Sequence, residues 1–482
     1  MLRALPAGVA GLLLSALATT PAQAQDGEAW QAPTLTITRY DEDWSKLADP
    51  AARTGGWTER FKYIPLGKGE GESGDDYLST GIEVRLRSES YRNNLWGSVD
   101  APDDSYLWTR AMPYADLHVG PAGGLHGRAF VQPIIAYAVG VAPAAGPVDQ
   151  SRADLLQGFA ELAVPLGDDG SLTLRGGRQM LSLGTERLVG TRYGPNVPLA
   201  FDGARADIRH GNATLSLLVA RPVRPGTGSF DDASSPTRKL WGAYAALPGI
   251  DLYYLGYRNR AATFGEASGR EMRHSFGLRS HGFSGDWHWN VEGVMQLGHF
   301  DGQKIGGQKI GSQKIRAWTL GTEIGRQFPA TPLAPHAVLR FNIVSGDRNP
   351  ADGTLGTFNA LFPKGKYFGE LSPVGPTNIV SLNPSVTLKV APDVSLGIAG
   401  MAYWRYTRAD GVYDIPGNLI RAAGTAQGRF IGKEIEASLS WQATPELELS
   451  TSLSAFQPGD FIRQTGPANT IGMLGLEANF RI

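Results

Sequence analysis

The stretch MLGLEANFRI, residues 473–482, decides the fold class. Its side chains alternate between apolar and polar along the chain. Successive side chains of a β-strand point to opposite faces, so the pattern predicts a strand with one apolar and one polar face. The apolar face carries Leu474, Leu476, Ala478, Phe480 and Ile482, and the polar face carries Glu477, Asn479 and Arg481. Such a strand fits the wall of either a soluble β-sandwich or an outer-membrane barrel.

The connections between such stretches favour the barrel. Residues 77–89 and 287–297 repeat the alternation, and about 18 strands of this kind are predicted between residues 77 and 482. Their connections alternate between short turns and longer loops, and the longer ones include 181–202, 222–237, 261–270, 301–312, 346–376, 408–426 and 458–469. An even strand number, short periplasmic turns and long extracellular loops are typical of bacterial transmembrane barrels. The predicted fold class is therefore all-β, a transmembrane antiparallel β-barrel.

The chain divides into three predicted regions. Residues 1–24 resemble a signal peptide, with a basic Arg3, an apolar stretch at 4–18 and the cleavage pattern Ala22-Gln23-Ala24, so the mature chain is expected to begin near Gln25. Residues 25–76 are interpreted as an N-terminal extension that is either periplasmic or packed into the lumen. Residues 77–482 form the predicted outer-membrane barrel.

Composition excludes several classes of function. The chain has no cysteine, which removes disulfides and thiol chemistry, and its formal net charge of −1 argues against a nucleic-acid partner. No motif of a hydrolase, a zinc protease or a nucleotide-binding loop occurs. We therefore expect no catalytic residue, no metal and no cofactor.

Arginine is the most informative residue of the polar faces. By strand parity, the side chains predicted to line the pore are Arg85, Arg87, Arg110, Arg128, Arg175, Arg205, Arg340, Arg405, Arg481, Glu83 and Asp116. Arginine-rich linings select anions, because a guanidinium group can bind a carboxylate at two points. The rival interpretation is that these arginines pair with lumen carboxylates and brace the wall. The two longest loops add a predicted constriction of Arg187, Arg192, Asp347, Arg348, Lys364 and Lys366.

Several runs carry a resemblance to a known family. They are TERFKYIPLG (58–67), LTLRGGRQMLSLGTERLVGTRYGPN (172–196), FDGARADI (201–208), GDRNPADGTLGTFNALFPKGKYFGEL (346–371), YWRY (403–406) and FQPGD (456–460). On these runs the chain, from about residue 40 to its C-terminus, resembles the alginate export family of outer-membrane porins. The resemblance implies an 18-stranded barrel whose electropositive, arginine-lined pore passes polyuronate to the cell exterior.

Three features of the sequence qualify this resemblance. Arg178 matches a family motif position in GRQ and is counted with the pore-lining set, although strict alternation places it on the face of Leu174; either a bulge shifts the register or Arg178 lies at the rim. Residues 447–455 contain no arginine, where the alginate exporter itself is basic. In addition, no predicted periplasmic connection is long enough to act as a plug.

The primary functional hypothesis is a porin for anionic saccharides such as alginate or related uronates. The alternatives are a general or uptake porin for small anions and, from another class, an outer-membrane hydrolase. A soluble secreted sandwich is disfavoured by the loop alternation. The predicted partners are an anionic polysaccharide or small anionic solute and outer-membrane lipid, with periplasmic export partners that the sequence does not identify.

The location of the protein supplies a first test. We expect the mature chain in the outer-membrane fraction, and we expect it to migrate faster in SDS gels unheated than boiled, because a closed barrel unfolds slowly in detergent. Recovery in the soluble periplasmic fraction would contradict the barrel.

Overall fold

The computed structural model describes residues 30–67, 76–99, 101–121, 123–265, 267–304 and 309–482. The predicted signal peptide, 1–24, lies outside the described residues. None of the helices within these ranges is long and apolar enough to cross a membrane.

Eighteen strands of the described chain form one antiparallel sheet, which confirms the predicted fold class and strand number. The barrel closes because β1 pairs with β18, from Glu83 opposite Arg481 to Arg92 opposite Gly472. The strands are β1 Tyr77–Arg92, β2 Asp104–Val119, β3 His126–Val139, β4 Ser151–Pro165, β5 Gly170–Met180, β6 Ala200–His210, β7 Ala213–Arg224, β8 Arg238–Leu247, β9 Ile250–Phe264, β10 Ala267–Ser284, β11 Trp287–Lys304, β12 Lys309–Gln327, β13 His336–Val344, β14 Ile379–Ala391, β15 Val394–Arg405, β16 Phe430–Gln442, β17 Leu447–Pro458 and β18 Ile471–Arg481.

Shorter elements lie between these strands. Five two- or three-residue strands occur at Ile64–Pro65, Ala233–Ser234, Thr354–Leu355, Val412–Tyr413 and Leu419–Arg421. The helical turns are Ser45–Ala48, Pro50–Ala52, Glu59–Lys62, Asn94–Gly97 and Asp460–Thr465.

Each strand has an apolar outer face and a polar inner face. On β2, Leu107 and Val119 are 42% and 46% exposed, whereas Arg110 and Asp116 are 1% and 2% exposed. Lipid accommodates the outer residues, and a charged side chain facing it at mid-depth costs roughly 2–4 kcal/mol. The polar faces therefore converge on the lumen.

Two connections differ from the predicted long loops. β9 continues to Phe264 and β10 begins at Ala267, so only residues 265 and 266 separate them, and β11 and β12 extend in the same way. The register between β9 and β10 shifts between Asn259 and Ala262, where a bulge adds one residue to β9. The bulge breaks the alternation, which made the strand appear to end near residue 260.

The N-terminal segment, residues 30–66, packs against the inner wall of β1–β5. The ring of Tyr40 lies edge-on to Phe130 and Phe159, at centroid distances of 6.0 and 5.3 Å. Arg128 donates a hydrogen bond to the carbonyl of Tyr40 (2.6 Å), and the amide of Gln157 donates to the carbonyl of Thr38 (3.1 Å). All four barrel side chains face inward, so this part of the segment lies inside the lumen.

The same segment also fastens the seam between β1 and β18. Arg39 donates to the backbone oxygen of Ile482 at 2.6 Å, and residues 64–65 pair with the first two residues of β1. Lys62, 1% exposed, donates to the hydroxyl of Tyr114 at 2.6 Å. Burial, and then the charge of Arg39, lower the pKa of Lys62 to about 7.

We expect the docking of residues 30–66 to strengthen as pH rises from about 7 to about 10, because a freely exposed lysine titrates near 10.4 whereas docked Lys62 is already neutral above about 7. Below pH 7, Lys62 is protonated in both the docked and the undocked segment, so its titration no longer changes the free energy of docking. The chain has no cysteine. A single spin label at Ala51→Cys should therefore become less mobile over this range, and Lys62→Met should abolish the change. An equal pH dependence in both proteins would contradict this role of Lys62.

Candidate functional site: the lumen and its two inner loops

Two long loops fold into the lumen from the long-loop end of the barrel. Inner loop 1 comprises residues 181–199 and inner loop 2 residues 345–378. They meet at an isolated parallel bridge between Val189 and Phe362, where Gly190 donates to the carbonyl of Phe362 at 2.8 Å. The ring of Phe362 packs edge-on against Phe201 and Tyr257 of the wall. The two loops are therefore one packed unit inside the barrel.

Arg85 and Arg110 hold inner loop 1. Arg85 donates to the carbonyls of Tyr193 (3.2 Å) and Pro195 (2.8 Å). Arg110 donates to the carbonyl of Pro195 at 3.1 Å and forms an ion pair with Glu83 at 2.7 Å. Both guanidinium groups also lie over the ring of Tyr193. These contacts engage two of the predicted pore arginines with the loop.

Arg87 holds inner loop 2 through three carboxylates. It contacts Glu89 and Glu477 at 2.6 Å and the loop residue Glu370 at 2.7 Å. Lys366 completes the cluster, with Glu89 at 3.0 Å and Glu370 at 2.5 Å. The backbone amide of Glu370 also donates to Glu436 at 2.6 Å. Glu370 thus helps to hold inner loop 2 against the wall and is absent from the predicted set. Its place four residues after Lys366, within the run 346–371, is a sequence feature that could have identified it.

The next arginines around the wall face the N-terminal segment. Arg128 pairs with Asp116 (2.7 Å) and Glu161 (3.2 Å), and Arg175 pairs with Glu161 at 2.5 Å. The guanidinium of Arg175 lies 4.0 Å from the ring centroid of Tyr40. Arg205 forms an ion pair with Asp207 at 2.8 Å.

Arg178 and Arg405 lie near the long-loop end. The register through Arg178 is continuous, so it shares the outer face of Leu174, where it pairs with Asp202 at 2.8 Å. Arg405, which is fully buried, donates to the carbonyls of Gly428 (2.6 Å) and Arg408 (2.9 Å) and lies over the ring of Phe461. Arg178 therefore braces the wall between β4 and β6, whereas Arg405 stabilises the loops that follow β15.

Arg340 and Arg481 keep more contact with water. Arg340 pairs across the strands with Glu323 at 2.5 Å, and their side chains are 31% and 29% exposed. Arg481 is 20% exposed and lies 3.4 Å from Glu448. Among the predicted wall arginines, these two have the most exposed side chains.

The predicted constriction residues separate into two groups. Arg187 contacts Glu292 (3.2 Å) and the hydroxyl of Tyr367 (2.7 Å) within the lumen. Arg348 is exposed and bonds the hydroxyl of Tyr406, and the preceding Asp347 donates its backbone amide to Asp410 at 2.8 Å. Burial raises the pKa of Asp347 to about 6. Asp347 and Arg348 thus lie at the outer base of inner loop 2, against the loop that follows β15.

Arg192 and Lys364 are the cations without a fixed partner. Among the described residues, neither side chain makes a hydrogen bond or an ion pair, and both are half-buried. Burial, followed by the charge of Arg238, lowers the pKa of Arg192 to about 10. Burial, followed by the charge of Arg340, lowers the pKa of Lys364. Asp414 raises the pKa of Arg192, and Glu186 and Glu323 raise that of Lys364, but none of these carboxylates forms an ion pair with either side chain.

One group of side chains has the geometry of a cation site. The carboxylates of Asp154, Asp231 and Asp232 lie within 4.8 Å of one another. Arg178 lies 3.7 Å from Asp154, and its positive charge opposes a cation there. The cluster lies beside the long-loop rim, away from the inner loops.

Comparisons with known proteins support the fold and the location. The family profile described as alginate export matches residues 76–472. No curated protein matches the chain. OccK11 (OpdR) of Pseudomonas aeruginosa is similar with a TM-score of 0.52 and 14% identity, over 85% of this chain and 96% of that chain. OccK2 (OpdF) of the same species, solved in complex with glucuronate, has a TM-score of 0.52 and 12% identity over 84% and 98%. A BenF-like porin from Pseudomonas fluorescens Pf-5 gives the same TM-score, identity and coverage.

Fold and family together place the protein in the bacterial outer membrane as a porin-type channel rather than an enzyme. The short turns then face the periplasm and the inner loops enter from outside. Because the family profile covers most of a closed 18-stranded barrel, the chain belongs to the alginate export family.

Proposed function

We propose that this outer-membrane channel passes anionic saccharides, such as alginate or related uronates, and that the cations of its inner loops select them. The observation that carries the proposal is the absence of fixed partners around Arg192 and Lys364 in the described chain. A positive group without a matched carboxylate attracts a passing anion, and a few such weak sites allow the anion to leave again.

The wall arginines have a supporting role in this proposal. Arg85, Arg110 and Arg405 are engaged by backbone carbonyls, so their charge helps to hold the loops. Arg340, next to Lys364, extends the positive path along the wall, and Arg481 adds a partly exposed positive group beside Glu448. The lining is therefore proposed to be a basic path along the loops rather than a ring of free arginines.

A second candidate function is passage of small anions. The N-terminal segment covers the inner face of β1–β5, and both inner loops fill part of the lumen. These inserts leave less room for a thick polymer than an empty barrel would, and one structural neighbour was solved in complex with glucuronate. Current block by monomeric uronate compared with block by polymeric uronate separates the two candidates.

Selectivity measurements test the loop cations directly. Arg192→Ala with Lys364→Ala should lower the anion-to-cation permeability ratio roughly two- to thirtyfold, since each partly exposed charge contributes about 0.2–1 kcal/mol. The effect should be larger at low salt, where screening is weaker. The readout is the reversal potential of channels in planar bilayers under a salt gradient.

The exposed Arg348→Ala variant serves as the matched control, because it removes one positive charge outside the lumen. It should leave the permeability ratio close to that of the wild type. A folded double variant with unchanged selectivity would show that Arg192 and Lys364 do not select anions.

Shortening inner loop 2 tests the constriction. Replacing residues 352–366 by a short Gly-Ser linker removes the contacts of Phe362 and should raise single-channel conductance, because the lumen widens. Heat-dependent gel migration verifies that the variant barrel is closed. If conductance and block by uronate both stayed at wild-type values, the loop would not constrict the pore.

A further inference from the structure

A cleft of about 340 Å³ opens at the long-loop end, and Asp414 on its lining lies near Arg192. It lies between the end of β1, the start of β2, inner loop 2 and the loop that follows β15. Its volume is at the lower end of the roughly 300–1,000 Å³ typical of ligand sites. The side chains that matter are Tyr91, Tyr106, Asn94, Asp104 and Asp414.

The two tyrosines give the cleft a fixed aromatic surface. Their rings are 6.2 Å apart between centroids and inclined by only 21°. Both hydroxyls donate to the same oxygen of Glu89, at 2.9 Å from Tyr91 and at a shorter distance from Tyr106. Glu89 is itself held by Arg87 and Lys366. The ring positions are therefore set by the ion-pair cluster that anchors inner loop 2.

Polar groups surround this aromatic surface. Asn94 makes no side-chain hydrogen bond among the described residues, so its amide offers both a donor and an acceptor. The carboxylates of Asp104 and Asp414 add acceptors on the lining. The charge of Arg192 lowers the pKa of Asp414, although burial raises it overall, so Arg192 and Asp414 are close neighbours.

We propose that this cleft binds the six-membered ring of one saccharide unit through its C–H face and its hydroxyls, before charge selection at the inner loops. This inference rests on the proposed function only because it assumes that solutes enter or leave the channel past the long-loop end of the barrel. The C–H face of a pyranose is apolar and packs on the negative face of an aromatic ring. Its hydroxyl edge donates to carboxylates and bonds an amide.

The lining disfavours an aromatic solute. A plain aromatic ring would leave the amide of Asn94 and Oδ1 of Asp104 without a hydrogen-bond partner, whereas Asp414 already accepts from Asn418. A hydroxylated ring satisfies both the apolar and the polar part of the cleft.

Neutral probes separate ring recognition from charge selection. In single-channel recordings on the full-length protein, methyl mannoside should block current at a concentration several-fold lower than mannitol, which has similar hydroxyl groups but no ring. Benzyl alcohol tests the aromatic alternative. A stronger block by benzyl alcohol, or equal block by mannitol and methyl mannoside, overturns the proposal.

Variants locate the site. Tyr91→Leu removes the aromatic face and should weaken methyl mannoside block roughly three- to tenfold. Tyr91→Phe retains the ring, while Tyr106 still bonds Glu89, so block should stay near the wild-type level. Asn94→Ala should weaken block without affecting inner loop 2. Tyr137→Leu, on the exposed outer face of β3, is the control.

Retention of full block in both Tyr91→Leu and Asn94→Ala would place ring recognition elsewhere and overturn the proposal. The reversal potential, measured in the same recordings, reports anion selectivity independently. If methyl mannoside did not block the wild-type channel but the channel still selected anions, only the cleft proposal would be contradicted. If methyl mannoside blocked the channel but anions were not selected, only the proposed function would be contradicted.

Discussion

The structure depends on the requirement that every backbone N–H and C=O within hydrocarbon finds a partner inside the protein. Lipid offers no hydrogen bonds, so a sheet that spans the bilayer has to close. Here closure is the pairing of β1 with β18 between Glu83 and Arg481 and between Arg92 and Gly472. The closed sheet then separates two environments, and side-chain alternation becomes a division between lipid and lumen.

Closure creates a second problem, because the lumen of 18 strands is wide and carries many charges. Segments of the same chain fill part of this space. The N-terminal segment covers β1–β5, and the two inner loops cross from the opposite end. Arginines of the wall meet the carbonyls of these inserts, as Arg85 does with Tyr193 and Pro195. Each buried guanidinium thereby gains hydrogen bonds that offset its loss of water.

This arrangement divides the positive charge of the lumen by role. Cations bound to carboxylates or carbonyls, such as Arg87 and Arg110, hold the inserts in place. Among the described residues, the side chains of Arg192 and Lys364 make no such hydrogen bond or ion pair, and we propose that they select solutes. The ion-pair cluster around Glu89 connects the two roles, because it anchors inner loop 2 and also orients Tyr91 and Tyr106 at the outer cleft. Positioning and recognition are therefore coupled through a few shared carboxylates.

Strand number, strand order and the inward face followed from the sequence, because alternation has a period of two and depends only on neighbours along the chain. The same logic failed locally at the bulge in β9, where one extra residue hid the continuation of the strand. The partners of each charge could not be predicted from the sequence. Arg85 and Arg340 both lie on inward faces of their strands. Arg85 is buried and binds a loop carbonyl, whereas Arg340 pairs with Glu323 and stays partly exposed. That difference depends on where residues 181–199 and 30–66 fold in space, and only tertiary structure brings segments so distant in sequence into contact.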